Sequence, residues 1–213
     1  PLPWLKSFFT LFEKLIGRIN SVPTWVLSAV VVFLPIALVC ATIYFGLSAS
    51  LQDYGPYSSW EDETAYWLRL RSFSQVGLNV GYNSPNELIA PAAFNRYGEG
   101  SPLYIYLYGS IARLTGWSSY LPILINFVIL ALAIFLFIYF AKLEPPQIIF
   151  TGLIAVLTWP ILAYLPMTTH ETLNQAIGFI LAIAFLKLLT NREQVSLPAR
   201  ISFVALVYVA ALI

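Results

Sequence analysis

Three adjacent carboxylates, Glu61, Asp62 and Glu63, stand in a chain that is 59% hydrophobic and only 10% charged. Such a triplet has three ordinary uses: capping a helix, facing water, or moving protons. At a helix N-terminus an acid satisfies free N–H groups and the dipole, worth about 0.3–1 kcal/mol. A carboxylate held near a membrane surface is desolvated on one side, which strengthens it as a general base. Cations follow closely. Arg69 and Arg71 lie on the same predicted helix, and Arg96 precedes Tyr97-Gly98. A guanidinium can hold two phosphate oxygens at once, although each of these arginines also reads as a solvated or interfacial side chain. Arg113, at the polar edge of an apolar helix, reads as snorkelling to lipid head groups.

A second chemical spot lies a hundred residues on, at Met167–Gln175. It carries the one histidine, His170, beside Glu171. Two readings stand. Either Thr169 or His170 caps the following helix while Glu171 complements its dipole, or Glu171 and His170 meet Asp62 across one site. In the second case the three side chains would bind an acceptor or a divalent ion. Carboxylate-rich sites suit Mg²⁺ or Mn²⁺, and a histidine with two carboxylates also suits Zn²⁺.

The elements that must position these residues are mostly membrane-like. Residues 4–20 repeat apolar side chains at helical period, with Lys6, Glu13, Lys14 and Arg18 mostly opposite. This predicts an interfacial amphipathic helix, so that 1–22 form a cytoplasmic surface segment and 23–213 a transmembrane domain. Apolar runs predict spans over about 24–47, 120–141, 145–166 and 172–189, and an incomplete one over 201–213. That last run amounts to only about 20 Å of helix, so the chain is expected to continue beyond it. Pro35 is expected to kink the first span, and Trp159-Pro160 falls near the end of the third. Cys40 lies inside an apolar run and reads as a small core residue.

Residues 48–119 are too rich in Gly, Pro, Asn and charge to cross a bilayer. Ser59-x-x-Asp62 reads as a capping box opening a helix from about 60 to 75. Ser101-Pro102 opens a second, to about 115, which is nearly apolar and is expected to lie along the membrane surface. Lys6, Lys14, Arg18, Lys142, Lys187, Arg192 and Arg200 fall on one side of the predicted topology; Arg69, Arg71, Arg96 and Arg113 fall on the other, all in the long loop. The positive-inside rule then sets the N-terminus in the cytoplasm, with both 48–119 and 167–171 on the extracytoplasmic side. No basic patch interleaved with aromatics suggests nucleic acid as a partner.

The order of these features carries a resemblance. A first span, an outer loop opening with Asp62-Glu63 and an aromatic helix containing Tyr66, and then "RYGEGSPLYIYLYG" from Arg96 to Gly109 resemble the membrane glycosyltransferases of the GT-C superfamily, nearest its protein mannosyltransferase and aminoarabinose transferase branch. The resemblance implies an all-α polytopic bundle with a long first extracytoplasmic loop carrying short interfacial helices. It implies a polyprenyl-phosphate sugar donor and an acceptor glycan, lipid or protein, at a bacterial plasma membrane or the ER. It assigns Asp62 as general base or acceptor-orienting group and Glu63 as its catalytic neighbour, raising the pKa of Asp62 or helping hold a metal, with no counterpart for Glu61. Some relatives use a divalent metal and some do not.

Within that reading Arg69, Arg71 and above all Arg96, with Tyr97, would hold the lipid phosphate, and Tyr66, His170 and Glu171 would contact substrate. Tyr54, Tyr57, Trp60, Tyr66 and Trp67 either pack and form a membrane belt or stack on sugar rings. Two other readings remain: a transporter or lipid flippase, which would tend to place charge mid-span, and a non-catalytic scaffold subunit of the same architecture. The spans hold no mid-span charge, only Asn126 and prolines.

Overall fold

Long runs of Leu, Ile, Val, Phe and Ala without water to satisfy the backbone have one local solution, the helix, which pairs every peptide group within its own segment. The computed structural model describes residues 10, 13–14, 16–53, 61–77, 102–190 and 197–210, and every regular element among them is helical. They are α1 (Thr24–Ala41, continued by a π-helical turn over Thr42–Gly46), α2 (Glu61–Val76), α3 (Pro102–Thr115), α4 (Leu121–Ala141), α5 (Pro145–Leu157), α6 (Trp159–Tyr164), α7 (Glu171–Thr190) and α8 (Leu197–Ala210).

Three of these are long and apolar enough to cross a membrane among the described residues: Thr24–Gly46, Leu121–Ala141 and Glu171–Leu189. Their outer surfaces carry large apolar side chains, with Trp25 75%, Phe33 60%, Phe45 80% and Val128 65% exposed. That is the reverse of a soluble helix and what a lipid-facing one requires. Hydroxyls within α1 bond back to the preceding turn. Ser28 Oγ donates to Thr24 O at 2.8 Å, and Thr42 Oγ1 donates to Leu38 O at 2.9 Å, so neither remains an unpaired polar group in an apolar setting.

The third predicted span differs. Residues 145–166 form two helices, broken at Thr158 (φ −78°, ψ 89°). Pro160 explains the break: it has no N–H to donate, and its ring excludes the carbonyl four residues back. α5 starts cleanly, with Pro145 and Pro146 in its first turn and the Glu144 N–H donating to Gln147 Oε1 at 2.9 Å. The last helix begins at Leu197, before the predicted 201. Most of the amphipathic segment over 4–20, and Ser59 of the capping box, lie outside the described residues.

One core joins α1, α4, α5 and α6 through Val31, Val39, Phe127, Leu130, Ile134, Ile148 and Ile161. Gly152 permits the α1–α5 approach, since a Cβ there would stand 2.8 Å from Val31 Cγ2. A second core lies at one end of the bundle, where Tyr66, Leu70 and Phe73 of α2 pack on Tyr104, Ile105 and Tyr108 of α3, with Ile125 and Leu173 beneath. α3 therefore spends one face on α2, while Tyr106, Leu107 and Leu114 stay exposed. Gly109 sets that spacing: a Cβ would sit 2.5 Å from Phe73 Cδ1. Gly109→Ala is expected to lower unfolding stability in detergent by about 1–3 kcal/mol. Gly178→Ala, with nothing within 4 Å, should be neutral or slightly stabilising. Thermal melts of the two variants against the parent check both.

Candidate functional site

Residues three and four apart on a helix share a face, and on α2 that face is Glu63, Tyr66, Leu70 and Phe73. All four are buried. A carboxylate so placed needs a partner, and Glu63, only 3% exposed, finds one far along the chain: the Thr168 backbone N–H donates to Glu63 Oε1 at 2.9 Å. The acid-bearing helix is thus tied to the turn between α6 and α7.

That turn is held from the other side by Asn126, fully buried near the start of α4. Its Nδ2 donates to Met167 O at 2.7 Å and to Leu165 O at 3.2 Å, while its Oδ1 accepts the Tyr108 hydroxyl at 2.7 Å. One carboxamide therefore bridges α3, α4 and the turn. Thr172 Oγ1 adds a bond to Tyr164 O at 3.2 Å.

An aromatic row runs beside this frame. The Tyr104 and Tyr108 rings lie 4.3 Å apart, Tyr66 meets Tyr104 edge-on at 5.6 Å, and the Tyr66 and His170 rings lie 5.3 Å apart at a steep angle. Arg69 is buried, with Cζ 5.9 Å from the centre of the Tyr66 ring. Arg71 is exposed and lies over Trp67 at 5.6 Å, on another side of the helix. Several buried polar atoms here have no hydrogen-bond partner among the described residues: Tyr104 Oη, Thr169 Oγ1, His170 Nδ1, Glu171 Oε2 and, one turn further along α7, Gln175 Oε1. Each such group ordinarily needs a partner. Together they supply hydroxyls, a ring nitrogen and acceptor oxygens, the complement that hydroxyl-rich ligands or ordered waters require.

Of the residues singled out from sequence, the structure brings Glu63, Tyr66, Arg69, His170 and Glu171 to one end of the bundle and sets Arg71 apart. Asp62 belongs to α2, but its side chain lies outside the described residues, as do Arg96, Tyr97, Tyr54, Tyr57 and Trp60. Among the described residues no group of three or more His, Cys, Asp or Glu could hold a metal ion; Glu171 and His170 are adjacent, and the Asp62 carboxyl proposed to join them is not described. Sequence reasoning missed Tyr104, Tyr108 and Asn126 as site-building residues. The usable signal for Asn126 was its isolation as an amide in an apolar span.

Among the described residues the fold is thus all-helical, with three helices long and apolar enough to span a membrane and a buried polar cluster at one end. No protein-family model, curated protein or solved structure matches the chain.

Burial raises the phenol pKa of both Tyr104 and Tyr108; for Tyr104 the neighbouring Tyr108, Tyr66, Glu171 and Glu63 add to it. Below the ordinary tyrosine value of about 10 both states are neutral and nothing is gained or lost. Above it the unfolded chain ionises while the folded one resists, so stability falls by about 1.4 kcal/mol per pH unit for each such tyrosine. Melts from pH 9 to 11 should show this fall. Tyr104→Phe, which removes a hydroxyl without a partner among the described residues, should roughly halve it, leaving the Tyr108 share, and leave neutral-pH stability unchanged or higher. Asn126→Ala should do the opposite at neutral pH: it strands the Tyr108 hydroxyl and two turn carbonyls, at about 1–3 kcal/mol for each group left unpaired, read as a lowered melting midpoint.

Proposed function

We propose that the chain is a membrane glycosyltransferase of GT-C type, or a part of one, taking its sugar from a polyprenyl-phosphate donor on the extracytoplasmic face. The observation that supports this best is the Glu63–Thr168 hydrogen bond. It joins the helix bearing Asp62 to the turn bearing His170 and Glu171, so residues more than a hundred positions apart serve one site.

In this reading Asp62 takes the proton of the acceptor hydroxyl as its oxygen bonds to the anomeric carbon. The bond from that carbon to the phosphate oxygen breaks, and the polyprenyl phosphate leaves with the electron pair. Arg69, with Arg96 and Tyr97 from the loop, steadies the charge that develops on the phosphate. His170 and Glu171, beside Tyr66 and Tyr104, hold the acceptor or the sugar hydroxyls. Glu63, with one oxygen engaged by a backbone N–H, keeps the turn in place next to Asp62. A divalent ion would be held by Asp62, His170 and Glu171 and would add charge neutralisation at the phosphate; no step described here runs through it. The N-terminus is cytoplasmic and the chain multi-pass.

A non-catalytic scaffold role is the competing reading, because the buried Glu63 bond is what an architectural acid would make. Turnover separates the two. Purified protein given a radiolabelled polyprenyl-phosphate sugar and acceptor should release free carrier. Asp62→Asn should lower this by about 100-fold or more, the usual share of a general base, with an unchanged melting midpoint. Glu63→Gln keeps an oxygen for Thr168 N–H and should retain most activity. Undiminished turnover in Asp62→Asn would refute the base assignment, and a parent protein inert toward every lipid-linked sugar would favour the scaffold.

A further inference from the structure

A lateral groove of about 1000 Å³ runs between α1 and α4. Its walls are apolar, with Val32, Phe33 and Ile36 on one side and Phe127, Leu132 and Phe135 on the other. Polar character is confined to one end, where Thr24, Ser28 and Lys142 line it. The Ser28 hydroxyl is already bonded to Thr24 O, and Lys142 is exposed in a left-handed conformation (φ 52°) that closes α4. Trp25 and Tyr139, 75% and 64% exposed, flank the same end. Aromatic rings beside a cation, with oil-like walls beyond, mark a membrane–water interface.

The dimensions fit one kind of occupant. From Thr24 to Ile36 the groove follows α1 for about 18 Å at about 1.5 Å per residue. One leaflet of a bilayer core is about 15 Å deep, half of about 30 Å. No carboxylate is among the described residues that line the groove, so its mouth offers a positive charge and no acid for a choline or ethanolamine group. The mouth is also far from the polar cluster, since Asn126 and Lys142 are separated by about 24 Å along α4. This is therefore not the donor phosphate position of the proposed reaction, and the inference stands whether or not that reaction does.

We propose that the α1–α4 groove binds an acyl chain of an anionic phospholipid, with the lipid phosphate held by Lys142 Nζ. Native mass spectrometry of the purified 213-residue chain in detergent tests this with phosphatidylglycerol and phosphatidylcholine of equal chain length. One phosphatidylglycerol should be retained, with about a fivefold preference over phosphatidylcholine, as expected for one lysine on an anionic lipid. Lys142→Gln should bring the two lipids to parity. Ala29→Phe, which fills the groove wall without touching charge, should release both. Inorganic phosphate should not compete, since the chain supplies most of the affinity. Equal retention of both lipids by the parent, an undiminished preference in Lys142→Gln, retention in Ala29→Phe, or displacement by inorganic phosphate would each overturn the proposal. The parent comparison decides even where a variant fails to fold.

Discussion

An irregular turn between two apolar helices must find partners for its own peptide groups, and in this chain those partners are two buried side chains. Residues 165–170 belong to no helix: α6 ends at Tyr164, Pro166 has no N–H with which to extend it, and α7 starts only at Glu171. The turn's carbonyls at Leu165 and Met167 are taken by the Asn126 amide, and its Thr168 N–H by the Glu63 carboxylate. Away from water an unpaired peptide group costs as much as the bond it lacks. The turn can therefore hold this shape only while both side chains stay put. Everything polar at this end of the bundle follows from that constraint.

Glu63 and Asn126 come from different elements, so the turn couples them. Asn126 sits on α4, which packs against α7. Glu63 sits on α2, which reaches the bundle chiefly through α3. The Tyr108–Asn126 bond links α3 to the same amide, closing a loop of contacts α2–α3–α4–turn–α2. The phenols of Tyr66, Tyr104 and Tyr108 fill the space inside it, and the close fit of Phe73 on Gly109 keeps α2 from sliding along α3. The position of α2, and with it the backbone at Asp62, is set by this loop rather than by any single strong bond.

Local periodicity made the helices legible in the sequence. The expected helices at about 60–75 and 102–115 appear as Glu61–Val76 and Pro102–Thr115 because helix periodicity and a proline in the first turn are short-range physics. The broken third span is only half legible: Trp159-Pro160 marks a weak point near its end, but a proline near a helix end is often absorbed, and only packing decides. The cluster itself was legible as a topological expectation, acids and His170-Glu171 on one side, but not in its chemistry. Nothing in the string "EDE" says that Glu63 would be buried. That follows from which face of α2 meets α3, a fact carried by Tyr104, Ile105 and Tyr108. Asn126 was seen and weighed only as a polar oddity in a span, since its partners are two backbone carbonyls some forty residues away and a tyrosine on another helix.

The exposed apolar faces and the buried polar cluster are two sides of one distribution. In a soluble protein the polar residues would be outside and the core dry. Here large apolar side chains such as Phe33, Phe45 and Val128 are outside, and Glu63, Arg69, Asn126, Thr168, Thr169 and Thr172 are inside. Van der Waals packing holds the long helices together, as lipid outside is no less apolar than leucine inside. Polar pairing can then contribute orientation where packing alone is indifferent, and it is concentrated where the backbone leaves helical geometry. That is why the groups capable of chemistry gather at the broken end of the bundle: the same irregular backbone that needs buried partners also brings His170, at the end of the turn, and Glu171, at the first position of α7, to where His170 Nδ1 and Glu171 Oε2 are left without a hydrogen bond among the described residues.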